Sequence, residues 1–309
     1  MKRYLPLLVL ASITIAIGYV LIRHSRQAEV SLRSVQEVAG EVFEDADKIG
    51  QRIVRVSEAE EMEIGQKIAE QIASSERLSA NPDQVKYVRL VGESLTVSVQ
   101  RRGIHYHFYV LEAPFANAFA IPGGHVYVTA ALLKMLDSEA ALAFVLGHEI
   151  SHVDLRHCIE LFQYQYAARQ IGGDLLGAAT QLGYAIYRQG YAKQKEIDAD
   201  ANGFHLGVHE RYDPRELVEL LEKFGRSHGE KPISKAATPQ QEAAQVLQGT
   251  LSDYLRSHPP SRQRIEQIEK LIRKMNLQNG QKFYAGRRNY QELLPRSKQE
   301  YPVEWGNLE

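Results

Sequence analysis

The chain has 309 residues, of which 44% are hydrophobic and 24% are charged, and its formal net charge is −1. This composition predicts one folded domain with appendages, and the balanced charge excludes the basic excess on which nucleic-acid-binding proteins depend. The single cysteine, Cys158, excludes an intrachain disulfide.

The first predicted element, residues 1–26, is a membrane anchor. The basic leader Lys2-Arg3 precedes an uncharged run of 18 residues, Leu5 to Ile22, which is long enough to span a bilayer. A cleaved signal peptide is the alternative, but no small-x-small cleavage site follows the apolar core. The basic leader favours an orientation with the amino terminus in the cytoplasm and the rest of the chain outside it.

Residues 27–56 predict a charged juxtamembrane stalk, and two helices of the domain follow it. Ser57 begins a capping box that opens the first helix. The apolar face of this helix carries isoleucines at helical spacing, namely Ile64, Ile68 and Ile72. Asn81 followed by Pro82 is typical of the start of the second helix.

The next apolar segments predict short strands. Phe115 to Ile121 and His125 to Thr129 are β-prone and flank Pro122-Gly123-Gly124, a combination that predicts a hairpin or a bulged edge. An edge strand can pair with an extended peptide with little regard for sequence, and a plain core hairpin is the alternative. His105 and His107, just before, are interpreted as a polar strand face rather than as metal ligands.

The motif His148-Glu149-Ile150-Ser151-His152 lies well inside a predicted helix that Ser138 caps. Positions i and i+4 share one helical face, so both imidazoles can reach a single zinc ion. Glu149 is then placed as a general base that acts on the attacking water, rather than as a ligand. A solvated helix with two ordinary histidines is the alternative.

The segment after this motif is interpreted as structural. His157 is interpreted as a hydrogen-bonding residue, and Cys158, placed in the same helix as the motif, as a packing residue. Ile171 to Tyr187 is rich in glycine and alanine and predicts a helix packed between the two ligand helices. Contact of this helix with a membrane surface is the alternative.

A catalytic zinc ion takes three protein ligands and leaves one position open, so a third ligand is expected downstream. Glu196 and Asp200 lie four residues apart, on one face of a helix predicted over residues 190–208. We interpret Glu196 as the third zinc ligand and Asp200 as the acceptor that orients a ligand imidazole. An acidic, solvated helix face is the alternative.

The last candidate site residue, His258, precedes Pro259-Pro260 and therefore lies on a constrained loop. Its imidazole either donates to the oxyanion formed during catalysis or occupies the fourth zinc position and keeps the enzyme inactive, and a surface histidine is the third possibility. Arg264 is expected to orient a nearby carboxylate. The remaining predicted elements are helices over 214–228, 240–256 and 261–276, a mobile flap from Gly229 to Pro239, and a C-terminal tail over 279–309.

Four stretches of the chain resemble, in the same order, the gluzincin family of zinc metallopeptidases that includes the CAAX prenyl endopeptidase and the HtpX-type, mitochondrial Oma-type and bacterial β-barrel-assembly-enhancing proteases. These stretches are Asn117-Ala118-Phe119-Ala120-Ile121-Pro122-Gly123-Gly124-His125-Val126-Tyr127-Val128, the His-Glu-x-x-His motif at 148–152, Glu-x-x-Ala-Asp at 196–200, and Ser257-His258-Pro259-Pro260 with Arg264. The resemblance covers roughly residues 57–270. It is strongest to single-anchor, Oma-like bacterial members, since the sequence predicts neither further membrane spans nor a helical-repeat array.

The resemblance implies an α+β, mainly helical metallopeptidase domain over residues 57–278, with a small β-sheet whose edge strand lies beside the zinc helix. It implies one zinc ion per chain, held by the ligands named above. It also implies that Asn117 and the strand Gly124-His125-Val126-Tyr127 face the substrate, and that His258 stabilises the oxyanion.

These motifs together predict a membrane-anchored zinc metalloendopeptidase that cleaves extended or misfolded polypeptides in quality control of the cell envelope. Its expected partners are the membrane and unfolded or misassembled envelope proteins, at the periplasmic face of the inner membrane. A catalytically silent, membrane-tethered chaperone or scaffold is the alternative, against which the intact Glu149 argues. A zinc aminopeptidase would need an acidic anchor for a free amine, which the sequence does not identify.

Overall fold

The computed structural model describes residues 56–168, 190–229, 258, 262–275 and 281–308. The helices within these residues are α1 (Glu58–Ser75), α2 (Pro82–Leu95), α3 (Ala130–Leu133), α4 (Glu139–Asp154), α5 (His157–Ala168), α6 (Lys193–His209), α7 (Arg215–Gly229), α8 (Arg262–Lys274) and α9 (Arg287–Glu292). The strands are β1 (His107–Leu111), β2 (Ala118–Ile121), β3 (His125–Thr129), β4 (Lys282–Tyr284) and β5 (Trp305–Asn307). The fold is α+β and mainly helical, as predicted.

The first two helices begin where the sequence indicates. Ser57 caps α1: its hydroxyl accepts from the Glu60 amide at 3.3 Å, while the Glu60 carboxylate accepts from the Ser57 amide at 2.8 Å. Asn81 caps α2 by accepting from two first-turn amides, with Pro82 as the first helical residue. The buried face of α1 contains the predicted isoleucines, Ile64, Ile68 and Ile72. Local capping and spacing therefore determine these two helices.

The three-stranded sheet has the order β1-β3-β2, with β1 parallel and β2 antiparallel to β3. β3 therefore lies in the middle, with a partner strand on each side. β2 and β3 form the hairpin predicted around Pro122-Gly123-Gly124, and Gly124 to Tyr127 lies at the centre of the sheet rather than at its edge. The physical reason is that β1, which comes earlier in the chain, pairs with β3 through a non-local contact that the hairpin pattern does not reveal.

Within the described residues, no further strand pairs with the outer edge of β2. On the opposite side, Leu78 forms a bridge to β1 and covers part of its outer edge. The Thr129 amide donates to the Asn117 carbonyl at 2.9 Å, which sets the alternation of hydrogen-bonded pairs between β2 and β3. By this alternation, the backbone N–H and C=O groups of Ala118 and Ala120 point away from β3.

The two faces of the sheet pack into different cores. Val126 and Val128 belong to the larger core, which includes residues of α2 and α4. Phe119 and Tyr127 face the other way and pack with residues of α1 and α5. The alternation along β2 and β3 thus places one face of the sheet against α4.

Helix α4 is buried along its whole length, and α6 packs against it at two glycines. A Cβ added to Gly203 of α6 would lie 2.8 Å from the backbone nitrogen of His148. A Cβ added to Gly147 of α4 would lie 3.2 Å from the Gly203 carbonyl oxygen. The two helices approach this closely because neither glycine carries a side chain.

The C-terminal segment packs onto the first turn of α4. The carbonyls of Gly286 and Ala285 accept from the amides of Glu139 and Ala140 at 3.1 and 3.0 Å. The buried Glu139 carboxylate also accepts from two tyrosine hydroxyls and from the Arg296 amide. The amino-terminal end of α4 is therefore held by residues far away in the sequence.

Several predicted elements lie outside the described residues: the anchor over 1–26, the stalk up to residue 55, the helix from Ile171 to Tyr187, the flap from residue 230, and the helix over 240–256. In the described part of the chain, no helix combines the length and the apolarity that crossing a bilayer requires.

Candidate metal centre

Helix α4 brings the two motif histidines together in the core. Ser138 caps the helix, as predicted, since its hydroxyl accepts from the Ala141 amide at 3.0 Å. His148 and His152 are both buried, and their Nε2 atoms lie 3.1 Å apart. Two imidazole nitrogens that converge in this way form half of a metal site.

Glu196 of α6 completes a triangle with these histidines. Its carboxylate oxygens lie 3.4 Å from Nε2 of His148 and 3.4 Å from Nε2 of His152. Ligand atoms about 2.0–2.1 Å from a tetrahedral zinc ion lie roughly 3.3 Å from one another. The three separations therefore fit a zinc ion bound by these residues.

His258 reaches the same cluster, although it lies far away in the sequence. Its Nδ1 is 3.1 Å from both Glu196 oxygens and 3.2 Å from Nε2 of His148. The donor atoms of His148, His152, Glu196 and His258 all lie within 4.8 Å of one another. His258 is only 2% exposed, which excludes a surface histidine, and its position favours a fourth ligand.

Asp200 and Arg264 support the cluster from one side. Asp200 Oδ1 lies 2.9 Å from Nδ1 of His148, as expected for an acceptor that orients a ligand imidazole. Arg264 donates to both Asp200 oxygens at 2.5 and 2.7 Å, and its third nitrogen lies 3.3 Å from Glu196. The carboxylate that Arg264 orients is therefore mainly that of Asp200.

The charges of the cluster favour a bound cation. Burial lowers the pKa of His148, but contacts with Asp200 and Glu196 outweigh this effect and raise it to about 10. Burial raises the pKa of Glu196, yet the neighbouring histidines bring it well below its usual value. Burial raises the pKa of Asp200, but Arg264 and His148 lower it below its usual value. Both carboxylates are therefore ionised and buried, and such groups require positive charge nearby.

Glu149 lies beside the cluster with its carboxylate buried. Neither of its oxygens has a hydrogen-bond partner within the described residues, although Oε1 is 3.5 Å from Nε2 of His258. Burial raises the pKa of this carboxyl group. A buried carboxylate without donors is costly to retain, and it is well suited to accept a proton from a water molecule.

The side of His152 that faces away from the cluster contacts two further residues. Its Nδ1 lies 3.0 Å from Nδ1 of His157, so the predicted hydrogen-bonding role of His157 is confirmed. The Tyr191 ring stacks on the His152 ring, with 3.9 Å between centroids, and donates its hydroxyl to Cys158 at 3.2 Å. Cys158 is buried, but it lies in α5 rather than in α4 as predicted, because the chain turns at Arg156, where φ is 65°.

The residues predicted to face the substrate are all buried in the described part of the chain. Asn117 is buried and continues the ladder between β2 and β3. Gly124 ends the turn before β3, whereas His125, Val126 and Tyr127 lie within β3 and pair on both sides. A substrate strand would find no unpaired backbone along β3, so among the described residues such pairing is left to the outer edges of the sheet, of which β2 packs against α4.

Two features of the site escaped the sequence analysis. Tyr191 has no spacing relation to the ligands that would single it out. The close contact of the two helices at their glycines could have been predicted from the sequence, since Gly147 directly precedes His148 and Gly203 follows Asp200 by three residues. A glycine in each ligand helix is a sign of close backbone approach.

The sequence matches the model of peptidase family M48 over residues 82–272. The β-barrel assembly-enhancing protease of Escherichia coli (strain K12) is 30% identical over 186 residues, which cover 55% of this chain and 38% of that protein. The mitochondrial metalloendopeptidase OMA1 of Arabidopsis thaliana is 29% identical over 174 residues, which cover 52% of this chain and 30% of that protein. The chain thus spans well under half the length of these two relatives.

Proposed function

The chain belongs to peptidase family M48, and from this premise we propose that it is a membrane-anchored zinc metalloendopeptidase that cleaves extended or misfolded polypeptides in quality control of the cell envelope. The observation that carries this proposal is the buried cluster of four donor residues with the Glu149 carboxylate beside it. The names of the relatives, a β-barrel assembly-enhancing protease and a metalloendopeptidase, support the same class of reaction.

The donor set of the cluster fits zinc. Two imidazole nitrogens and one carboxylate oxygen form a common ligand set of catalytic zinc sites. His148, His152 and Glu196 would hold the ion, and Asp200 holds the tautomer of His148 that leaves Nε2 free to bind. A bound zinc ion would supply Lewis-acid polarisation of the scissile carbonyl and a more acidic water.

Glu149 acts as the general base and then as the general acid of the reaction. Because its oxygens have no hydrogen-bond donor within the described residues, they can accept a proton from the attacking water. The same carboxyl group then delivers this proton to the leaving amine. Burial raises its pKa, which makes it a better base and brings it closer to the range in which a carboxyl group can serve both roles.

His258 occupies the fourth donor position in the arrangement described above. It lies between Glu196, 3.1 Å away, and Glu149, 3.5 Å away, and so fills the space between the ligands and the general base. We propose that this is a resting state and that His258 moves away when substrate enters.

The edge strand β2 supports extended polypeptides as the substrate class. The Ala120 carbonyl already accepts from Cys158 at 3.5 Å, and both alanines of β2 are buried. The outward N–H and C=O of Ala118 and the outward N–H of Ala120 would therefore pair with a peptide strand only once this edge is uncovered, and such pairing gives affinity that depends little on sequence. This property suits unfolded chains. The anchor at residues 1–26 and the periplasmic location are proposed from the apolar run and the basic leader of the sequence.

The test of this function is Glu149→Gln in the full-length protein. We expect cleavage of an internally quenched peptide with both ends blocked to be lost, while bound zinc stays near one per chain, because Glu149 transfers protons and does not bind the metal. Glu93→Gln, which removes an exposed carboxylate paired with Arg89, is the matched control and should retain activity. Cleavage that survives Glu149→Gln would refute the mechanism, and wild-type protein that binds unfolded chains without cutting them would indicate a chaperone.

A further inference from the structure

We propose that His157 and Tyr191 position His152 as a metal ligand through two uncharged contacts, with Nδ1 of His157 as the acceptor that fixes the His152 tautomer. This inference rests on the proposed function, because it presupposes zinc at the cluster. It adds two positioning residues to the site: one contacts the edge of the His152 ring and the other contacts its face.

The tautomers of both histidines follow from the atoms that face one another. Nε2 of His152 points at the other ligand atoms, 3.1 Å from Nε2 of His148 and 3.4 Å from Glu196. If Nε2 binds the metal through its lone pair, the ring hydrogen has to be on Nδ1. That hydrogen points at Nδ1 of His157, 3.0 Å away, so this atom accepts and the His157 hydrogen is on Nε2.

The two ligand histidines therefore donate to hydrogen-bond acceptors of different charge. His148 donates to a carboxylate, Asp200, at 2.9 Å, whereas His152 donates to a neutral imidazole at 3.0 Å. The buried site already contains the carboxylates of Glu149, Glu196 and Asp200. A further buried carboxylate in the place of His157 would add an uncompensated desolvation cost, and a neutral acceptor avoids it.

Tyr191 restrains the remaining freedom of the His152 ring. The two rings are nearly parallel, at 15°, with 3.9 Å between centroids, which opposes rotation of the imidazole out of its plane. The Tyr191 hydroxyl is itself held, because it donates to Cys158 Sγ at 3.2 Å. Cys158 in turn lies 3.5 Å from the Ala120 carbonyl on the edge strand.

The local fold explains how His157 reaches this position. The chain leaves α4 through Arg156, whose φ of 65° interrupts the helix, and His157 follows as the first residue of α5. The Arg156 guanidinium donates to the Val56 carbonyl at 3.2 Å and thereby holds the turn. His157 and His152 therefore face one another although they lie on successive helices.

The experiment compares His157→Asn with His157→Gln in the full-length protein. The Asn amide oxygen can occupy the place of the imidazole Nδ1, whereas the Gln amide reaches the place of Nε2. The Zn²⁺ dissociation constant is measured by competition with a chromophoric chelator. We expect His157→Asn to bind zinc as the wild type does, and His157→Gln and His157→Ala to bind about 10- to 100-fold more weakly.

A second pair of variants tests Tyr191. Tyr191→Phe keeps the stacked ring and should retain zinc affinity, whereas Tyr191→Leu loses the ring and should weaken binding. Equal affinity in these two variants would refute the role of the stack.

Thermal unfolding in the presence of EDTA separates positioning from general stability. If His157 has a purely structural role, the unfolding temperature of all three variants should fall while their zinc affinities remain equal to one another. This result would overturn the proposal. If His157→Ala does not fold, the comparison of Asn with Gln decides alone. If the wild-type protein binds no zinc, the proposed function is overturned as well. If the wild type binds zinc and His157→Asn and His157→Gln have equal zinc affinities, only this inference is overturned.

Discussion

At the residue scale, the two acidic side chains of α6 have different surroundings. Glu196 faces donor atoms on three histidines at 3.1 to 3.4 Å. Asp200 contacts the cluster only through Nδ1 of His148, and Arg264 holds its carboxylate. The first residue is therefore placed to bind the metal directly and the second to orient a ligand.

These surroundings predict unequal losses of zinc. Glu196→Ala should abolish zinc binding, because it removes a ligand. Asp200→Ala should weaken affinity by about 10- to 100-fold, the usual effect of losing the partner of a ligand imidazole. Asp198→Ala on the same helix is the control, since its side chain pairs with Gln194 instead. Equal loss of zinc in the Glu196 and Asp200 variants, measured by chelator competition, would contradict this division.

The position of His258 predicts the outcome of removing it. If the imidazole blocks the cluster in about nine molecules of ten, His258→Ala should raise basal cleavage of a short peptide about tenfold, because the closed state no longer competes with substrate. A fall in kcat of about 100-fold with unchanged zinc binding would instead assign His258 to the oxyanion. Unchanged activity toward folded and unfolded substrates alike would exclude both roles.

At the scale of elements, the site depends on the contact between α4 and α6. The nearest approach is at Gly147 and Gly203, adjacent in space to the ligand His148. Each helix supplies donor residues to the candidate metal site, so the spacing of the two backbones determines whether the donor atoms converge.

This contact predicts that Gly203→Ala disrupts the centre. Its Cβ would lie 2.8 Å from the His148 backbone nitrogen, and backbone atoms cannot yield as a flexible side chain can. We expect the free energy of unfolding to fall by about 1–3 kcal/mol, with weaker zinc binding, because α6 moves away with Glu196. Unfolding in urea and chelator competition measure the two effects.

Gly225→Ala in α7 is the matched control for this substitution. No atom of the described residues lies within 4 Å of the added Cβ, so alanine should leave zinc binding unchanged and stabilise the helix by up to about 1 kcal/mol. If the two glycine variants behave alike, the close helix contact is not what positions the ligands.

At the scale of the whole molecule, residues outside the family match support the site. The match ends at residue 272, yet the carbonyls of Ala285 and Gly286 accept from the first amides of α4. The C-terminal segment therefore supports the ligand helix at the end opposite His152. The predicted tail is part of the folded structure around the metal centre.

The last prediction concerns the membrane topology of the protein. A reporter that is active only outside the cytoplasm, fused after Glu309, should be active, because the basic leader favours a cytoplasmic amino terminus. Carbonate washing should leave the full-length protein in the membrane pellet. Release of a shortened chain by washing would show instead that the amino-terminal segment is a cleaved signal.

The sequence by itself determined the features that depend on neighbours along the chain. The caps at Ser57, Asn81 and Ser138 and the spacing of His148 and His152 are local, because a helix places residues by their separation in sequence. The place of Glu196 beside the two histidines was also predictable, since a catalytic zinc site would require a third ligand and the spacing of Glu196 to Asp200 matched a helix.

Only the tertiary structure decided which distant segments meet. The central position of β3, the pairing of Arg264 with Asp200, the arrival of His258 among the ligands and the stacking of Tyr191 all join residues far apart in sequence. The edge position of β2 rather than β3 has the same origin, because a parallel partner such as β1 leaves no local signal. Local periodicity specifies a helix or a strand, whereas the contacts between them depend on how the whole chain buries its apolar surface.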